Sequence, residues 1–70
     1  MIRIGTRIRR AREKRNITQG ELVRRSGLQA SYVSKVENGL VMPGLHNLER
    51  MARAIDITLP ELLQYRKRRP

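Results

Sequence analysis

Cysteine is absent from the chain, so neither a disulfide nor a thiolate metal site can brace the fold. That is compatible with a reducing cytoplasm without proving one. Tryptophan and phenylalanine are missing too, which leaves Tyr32 and Tyr65 as the whole aromatic complement. RNA recognition relies heavily on bases stacked against aromatic rings, so RNA is a disfavoured ligand. His46 is the single histidine, and no carboxylate cluster accompanies it. A surface or partly packed imidazole is expected there, not a catalytic one. No metal-ligand spacing or glycine-rich phosphate loop occurs, so neither metal nor cofactor is implied. No apolar run approaches the roughly 20 residues that span a bilayer. The basic start also lacks the apolar stretch of a secretory leader. These shortages argue against an enzyme or a membrane protein and for a small, soluble, cytoplasmic chain.

Acidic residues are scarce as well, six against sixteen lysines and arginines, leaving a net charge of +10. The excess is uneven. Residues 1–27 carry nine basic and two acidic side chains, residues 28–65 carry three and four, and residues 66–70 add four more positives. Such a field attracts a polyanion and speeds its encounter. Charge alone does not separate DNA from RNA, an acidic protein or an anionic membrane surface, and surplus arginine also keeps a small domain soluble. Seventy residues make one domain with a compact core and marginal stability. We expect that domain over residues 1–65, with residues 66–70 a disordered basic tail.

Helical signals fill the chain. Ile4, Ile8 and Ala11 recur at helical spacing, with Arg3, Arg7, Arg10 and Lys14 on another face, which predicts an amphipathic helix over 5–15. Asn16 follows, a residue that tolerates the left-handed conformation ending many helices. Thr18-Gln19-Gly20-Glu21 has the pattern of a capping box, followed by inward Leu22 and Val23 and a stop at Gly27. A third helix is expected from Gln29 or Ala30 to Glu37, with Val33 and Val36 inward, closed by the turn signal Asn38-Gly39. After a loop to Gly44, the residues Leu45, Leu48, Met51, Ala52 and Ile55 set a fourth helix. Thr58-Leu59-Pro60-Glu61 is a second capping-box pattern, opening a last short helix with Leu62 and Leu63 inward. The expectation is an all-α domain of five short helices.

Two short helices, 18–26 and 29–37, joined by a turn at Gly27, have the layout of a DNA-binding helix-turn-helix. Glycine lets the chain reverse there without a side-chain clash. The second helix then projects outward with a small, polar face that can enter a major groove.

At this level the chain resembles the Cro/phage-repressor (XRE-like) helix-turn-helix family. The resemblance rests on I-G-T-R-I-R-R-A-R (4–12), I-T-Q-G-E-L (17–22), S-Y-V-S-K-V-E-N-G (31–39) and L-H-N-L-E-R-M-A-R-A-I (45–55). It covers residues 4–63, and its specific part is T-Q-x-E-L, Gly27 and V-S-x-V-E-N-G in register. It implies the five-helix fold of the lambda-repressor-like type. It implies base-reading positions at Gln29, Ala30, Ser31, Ser34 and Lys35, and backbone contacts from Gln19 and Asn38. Gln19 is also implied to brace the recognition helix, and Arg12 and Glu37 to tie the first helix to the third. The basic first helix offers Arg7, Arg9, Arg10 and Arg15 to phosphates. About four or five such contacts would give a salt slope near −4. Tyr32 reads as a packing residue at the helix edge.

Three departures from the family pattern stand out. Val23 sits where alanine is usual, at the close approach of the two helices. Gln29 replaces the usual serine-type cap, which predicts a loosely started recognition helix. Leu40-Val41-Met42 is unusually apolar for its loop. It reads either as a partner surface or as a segment with one or two residues tucked under the fourth helix.

The resemblance implies a transcription regulator that binds a palindromic operator in double-stranded DNA as a homodimer. Two half-sites supply the affinity and specificity that one short helix lacks. An alternative from a different class is a protein-interaction module, an antitoxin partner of a toxin or a bridge between transcription proteins, favoured by the loop at Leu40 to Met42. The decisive structural expectation is an exposed helix after Gly27, seated across its predecessor, with Ser31, Ser34 and Lys35 toward solvent.

Overall fold

A computed structural model describes residues 4–63. Arg3, Tyr65 and the expected tail at 66–70 lie outside the described residues. Five helices follow in order: α1 (Ile4–Lys14), α2 (Gln19–Ser26), α3 (Ala30–Glu37), α4 (Leu45–Ile55) and α5 (Leu59–Leu62). Each agrees with its expected place to within a residue or two.

The ends of the helices show why they fall there. Asn16 takes φ 58 after α1, and the Ile17 amide turns back to the Arg12 carbonyl at 3.0 Å. Thr18 caps α2, its hydroxyl accepting from the Glu21 amide at 3.0 Å. The return arm of the expected box is replaced: the Glu21 carboxylate pairs with Arg24 and Arg25 of its own helix. Two cations one turn away outcompete a single backbone amide for a carboxylate. Gly27 ends α2 at φ 75. Asp56 ends α4 in the left-handed region at φ 68. At α5 the box is complete, with Thr58 and Glu61 satisfying each other's amides.

The core is aliphatic and draws on every helix: Ile8, Leu22, Val33, Val36, Leu48, Met51, Ile55 and Leu62, joined by Ile17, Ala52 and Ala54. Each large side chain fully buried contributes about 1.5–3 kcal/mol. Helix α4 packs against α2, α1 and α5, while α3 rests on α1 and α2. Two residues of the apolar pattern face water. Leu45 is 64% exposed, because it opens α4 before the helix reaches the core at Leu48. Leu63 is 41% exposed: α5 is one turn long and seats only Leu62 deeply.

Candidate nucleic-acid interface

The segment after Gly27 is a separate helix and not a continuation of α2. Along α3 the faces divide sharply. Val33, Val36 and Glu37 are buried, Ala30, Ser31 and Lys35 are exposed, and Ser34 is half-buried at the margin. Gln29, exposed at the helix start, makes no side-chain capping bond, in line with the expected loose start. Tyr32 is half-buried and its hydroxyl accepts from Asn47 of α4 at 3.1 Å, so it packs.

Behind α3, three helices meet at one carboxylate. Glu37 receives Arg12 through two parallel bonds, Nε to Oε2 at 2.8 Å and Nη2 to Oε1 at 2.9 Å. The remaining Arg12 nitrogen donates to the Ile17 carbonyl at 2.9 Å. Both side chains are essentially buried, at 10% and 0% exposure. The hydrogen bond that Arg12 donates to Glu37 holds the guanidinium above its ordinary pKa against the opposing effect of burial. Gln19, at the start of α2, donates its Nε2 to Glu37 Oε1 at 3.1 Å. No buried side-chain nitrogen or oxygen among the described residues lacks a partner. A buried ion pair so fully bonded avoids the penalty of a half-satisfied charge. The tie between Arg12 and Glu37 and the bracing by Gln19 are both present.

The basic residues of α1 separate into two sets. Arg9 is on the α3 side, its Nη2 donating to Asn38 Oδ1 at 2.9 Å and its Nε 3.6 Å from Glu37 Oε1. Arg7, Arg10 and Arg15 line a groove beside Ile57, Glu61 and Leu62, toward α5. Arg7 further donates to the Leu63 carbonyl. The sequence grouped these four arginines, but the fold sets Arg9 against Asn38 and Glu37 and Arg10 and Arg15 toward α5, while Arg7 also lines a groove with Val36 and Asn38 at the end of α3. The helical period assigned them to a polar face without distinguishing its two flanks.

A second arginine arrangement was not anticipated. Arg25 of α2 donates to the Ala54 carbonyl in the last turn of α4 at 3.2 Å, and Arg50 of α4 donates to the Ser26 carbonyl in the last turn of α2 at 3.1 Å. Each helix thus closes the other's carbonyl end, where cations are favoured. Arg25 lies in the last turn of its helix, but Arg50 sits in the middle of α4, where the sequence offered no signal for it.

In the loop after α3 the three apolar residues divide. Val41 tucks against the core, while Leu40 and Met42 stay 74% and 78% exposed.

Comparison with known proteins decides what this arrangement is. A helix-turn-helix family model matches residues 8–62. The chain belongs to that helix-turn-helix family. Among its relatives, the regulator y4dL of Sinorhizobium fredii is 43% identical over 56 residues, which are 80% of this chain and 29% of that protein. The Bacillus subtilis regulator SinR is 31% identical over 61 residues, 86% of this chain and 55% of that protein. The helix-turn-helix chain thus spans under two thirds of either relative. Among solved structures, the restriction-modification controller C.AhdI of Aeromonas hydrophila superposes with a TM-score of 0.80 at 39% identity, covering 84% of this chain and 89% of that one. SinR in complex with DNA superposes with a TM-score of 0.79 at 31% identity, covering 86% and 97%. The all-α, repressor-like fold expected from the sequence is therefore shown. No helix among the described residues of this helix-turn-helix chain is long and apolar enough to cross a membrane.

Proposed function

We propose that this chain is the DNA-reading domain of a transcription regulator, a repressor that binds a palindromic operator as a homodimer, with no chemistry of its own. One observation carries the reading: Ala30, Ser31 and Lys35 face solvent on a helix clamped from behind through Glu37. A helix held on its inner face and bare on its outer one can enter a major groove without repacking. Lys35 supplies a donor for guanine or phosphate, Ala30 a methyl contact for thymine, and Gln29, Ser31 and Ser34 short hydrogen-bonding groups. The backbone is held from both flanks. Gln19 keeps one amide N–H free after its bond to Glu37, and Asn38 stands exposed at the far end of α3. Arg10 and Arg15, placed toward α5, act through the long-range field, while Arg7, which also lines the groove beside Asn38, stays within the set of phosphate contacts.

Dimerisation follows from size. A helix of eight residues reads too few base pairs for a specific site unless two copies act together. The exposed edge of Leu40 and Met42 offers apolar area for pairing. The same edge supports the second reading, contact with another protein such as a toxin or a transcription protein.

Selection of bound sites from random duplexes tests the assignment. The expected result is an inverted repeat with half-site centres about one helical turn, 10 base pairs, apart. Lys35→Ala and Ser34→Ala should each relax preference at particular positions, at about 1–3 kcal/mol of discrimination. Sequence-blind association at moderate salt would overturn DNA reading and leave the protein-contact alternative.

A further inference from the structure

The contact between Arg9 and Asn38 assigns Arg9 a role apart from its charge. A carboxamide looks the same from either end unless a partner distinguishes oxygen from nitrogen. Guanidinium has donors only, so the Asn38 atom facing Arg9 Nη2 at 2.9 Å must be the oxygen, Oδ1. The Nδ2 donor therefore points the opposite way, toward the outer edge of α3, where Ser34 Oγ lies at 3.5 Å. At that distance the Ser34 contact is weak and leaves Nδ2 available. Arg9 is itself held, because its Nε lies 3.6 Å from the buried Glu37 carboxylate. Orientation thus passes from the buried pair, through Arg9, to a side chain at the rim of the reading face.

We propose that Arg9 is a positioning residue: it fixes the Asn38 amide so that Nδ2 is presented to a DNA phosphate. This rests on the DNA-reading assignment above and deepens it. A direct phosphate contact by Arg9 makes different predictions. Removing such a contact lowers the salt slope of binding by about one and adds independently to other losses. Removing a positioning residue leaves the slope unchanged and overlaps with the loss of the residue it positions.

The test measures binding of the full chain to its selected duplex at several salt concentrations, for the wild type, Arg9→Ala, Asn38→Ala and the double variant. Each single change should weaken binding about five- to tenfold, the size of one hydrogen bond. The double variant should fall within about twofold of the weaker single variant, and Arg9→Ala should keep the wild-type slope. Additive losses, or a slope reduced by about one, would overturn the positioning role while leaving DNA reading intact. Affinity loss matched by loss of folded protein in thermal melts would reduce Arg9 to a stability residue and also overturn it. A wild type that binds no duplex would instead overturn the DNA-reading assignment, and the role of Arg9 with it.

Discussion

Gly5 lies so close to Val36 that a β-carbon built on it would sit 2.0 Å from the Val36 carbonyl oxygen and 3.0 Å from that of Glu37. The obstacle is helix backbone, which cannot rotate aside as a side-chain tip can. Gly5→Ala should therefore push α1 off α3 and destabilise the domain by about 2–3 kcal/mol. Thermal unfolding should show a drop of roughly 8–20 °C at this chain length. A melting temperature within about 2 °C of the wild type would mean that the helices do not approach this closely in solution.

Gly20 offers the opposite case. The nearest atom to a β-carbon there is Thr18 Oγ1 at 3.9 Å, ordinary van der Waals contact. Its place in the first turn of α2 needs no positive φ. Gly20→Ala should stabilise by about 0.5 kcal/mol through reduced freedom of the unfolded chain. Denaturant melts should show a raised midpoint with an unchanged slope.

The Arg12 and Glu37 pair should be far less tolerant. Breaking it from either side leaves a buried charge without its partner, at about 3–5 kcal/mol. Arg12→Leu and Glu37→Leu should each leave much of the chain unfolded at 25 °C by circular dichroism. The double substitution should recover part of that loss, since no uncompensated charge remains. A double variant as unstable as the sum of both singles would show that the pair is not coupled.

Acid should weaken the fold through two helix-end carboxylates. The Thr58 backbone amide, then its hydroxyl, hold Glu61 below the usual carboxylate range. Arg25, then Arg24, do the same for Glu21. A pKa depressed in the folded state means that the ionised form favours folding. Its contribution is complete above the unfolded value of about 4.3 and vanishes as pH falls through the folded one. Melting temperature should hold steady from about pH 7 to about pH 5 and decline below about pH 4.5. Glu61→Gln should lose part of that decline. Melting that stays level to about pH 3 would contradict both assignments.

Much of this molecule was readable from its residues, and the exceptions share a cause. Apolar spacing located α1 and α4, while Thr18, Gly27 and Thr58 marked ends that depend on local backbone chemistry. The pairing of Arg12 with Glu37, 25 residues away, came from family resemblance and not from periodicity. Periodicity assigns a residue to a face but does not name the neighbour waiting there. Hence Gly5 went unrecognised as the point where two helices touch, and Arg9 was grouped with Arg10 and Arg15, which lie on the other flank. Leu63 was placed inside, and Leu45 counted in the apolar spacing of α4, because spacing counts turns without showing where the core ends. Glu21 chose Arg24 and Arg25 over the amide of Thr18, a contest among three local partners that a motif leaves unresolved.

The split along α3 also bears on how such a domain changes over time. Its inner row, Val33, Val36 and Glu37, is committed to the fold, whereas Ala30, Ser31 and Lys35 touch little besides water. Replacements at exposed positions of that kind usually alter stability by no more than about 0.5 kcal/mol. Under the proposed DNA-reading role, the outer row can therefore drift toward new operators while the domain keeps folding, and duplicated copies can part ways in target without first acquiring compensating changes inside.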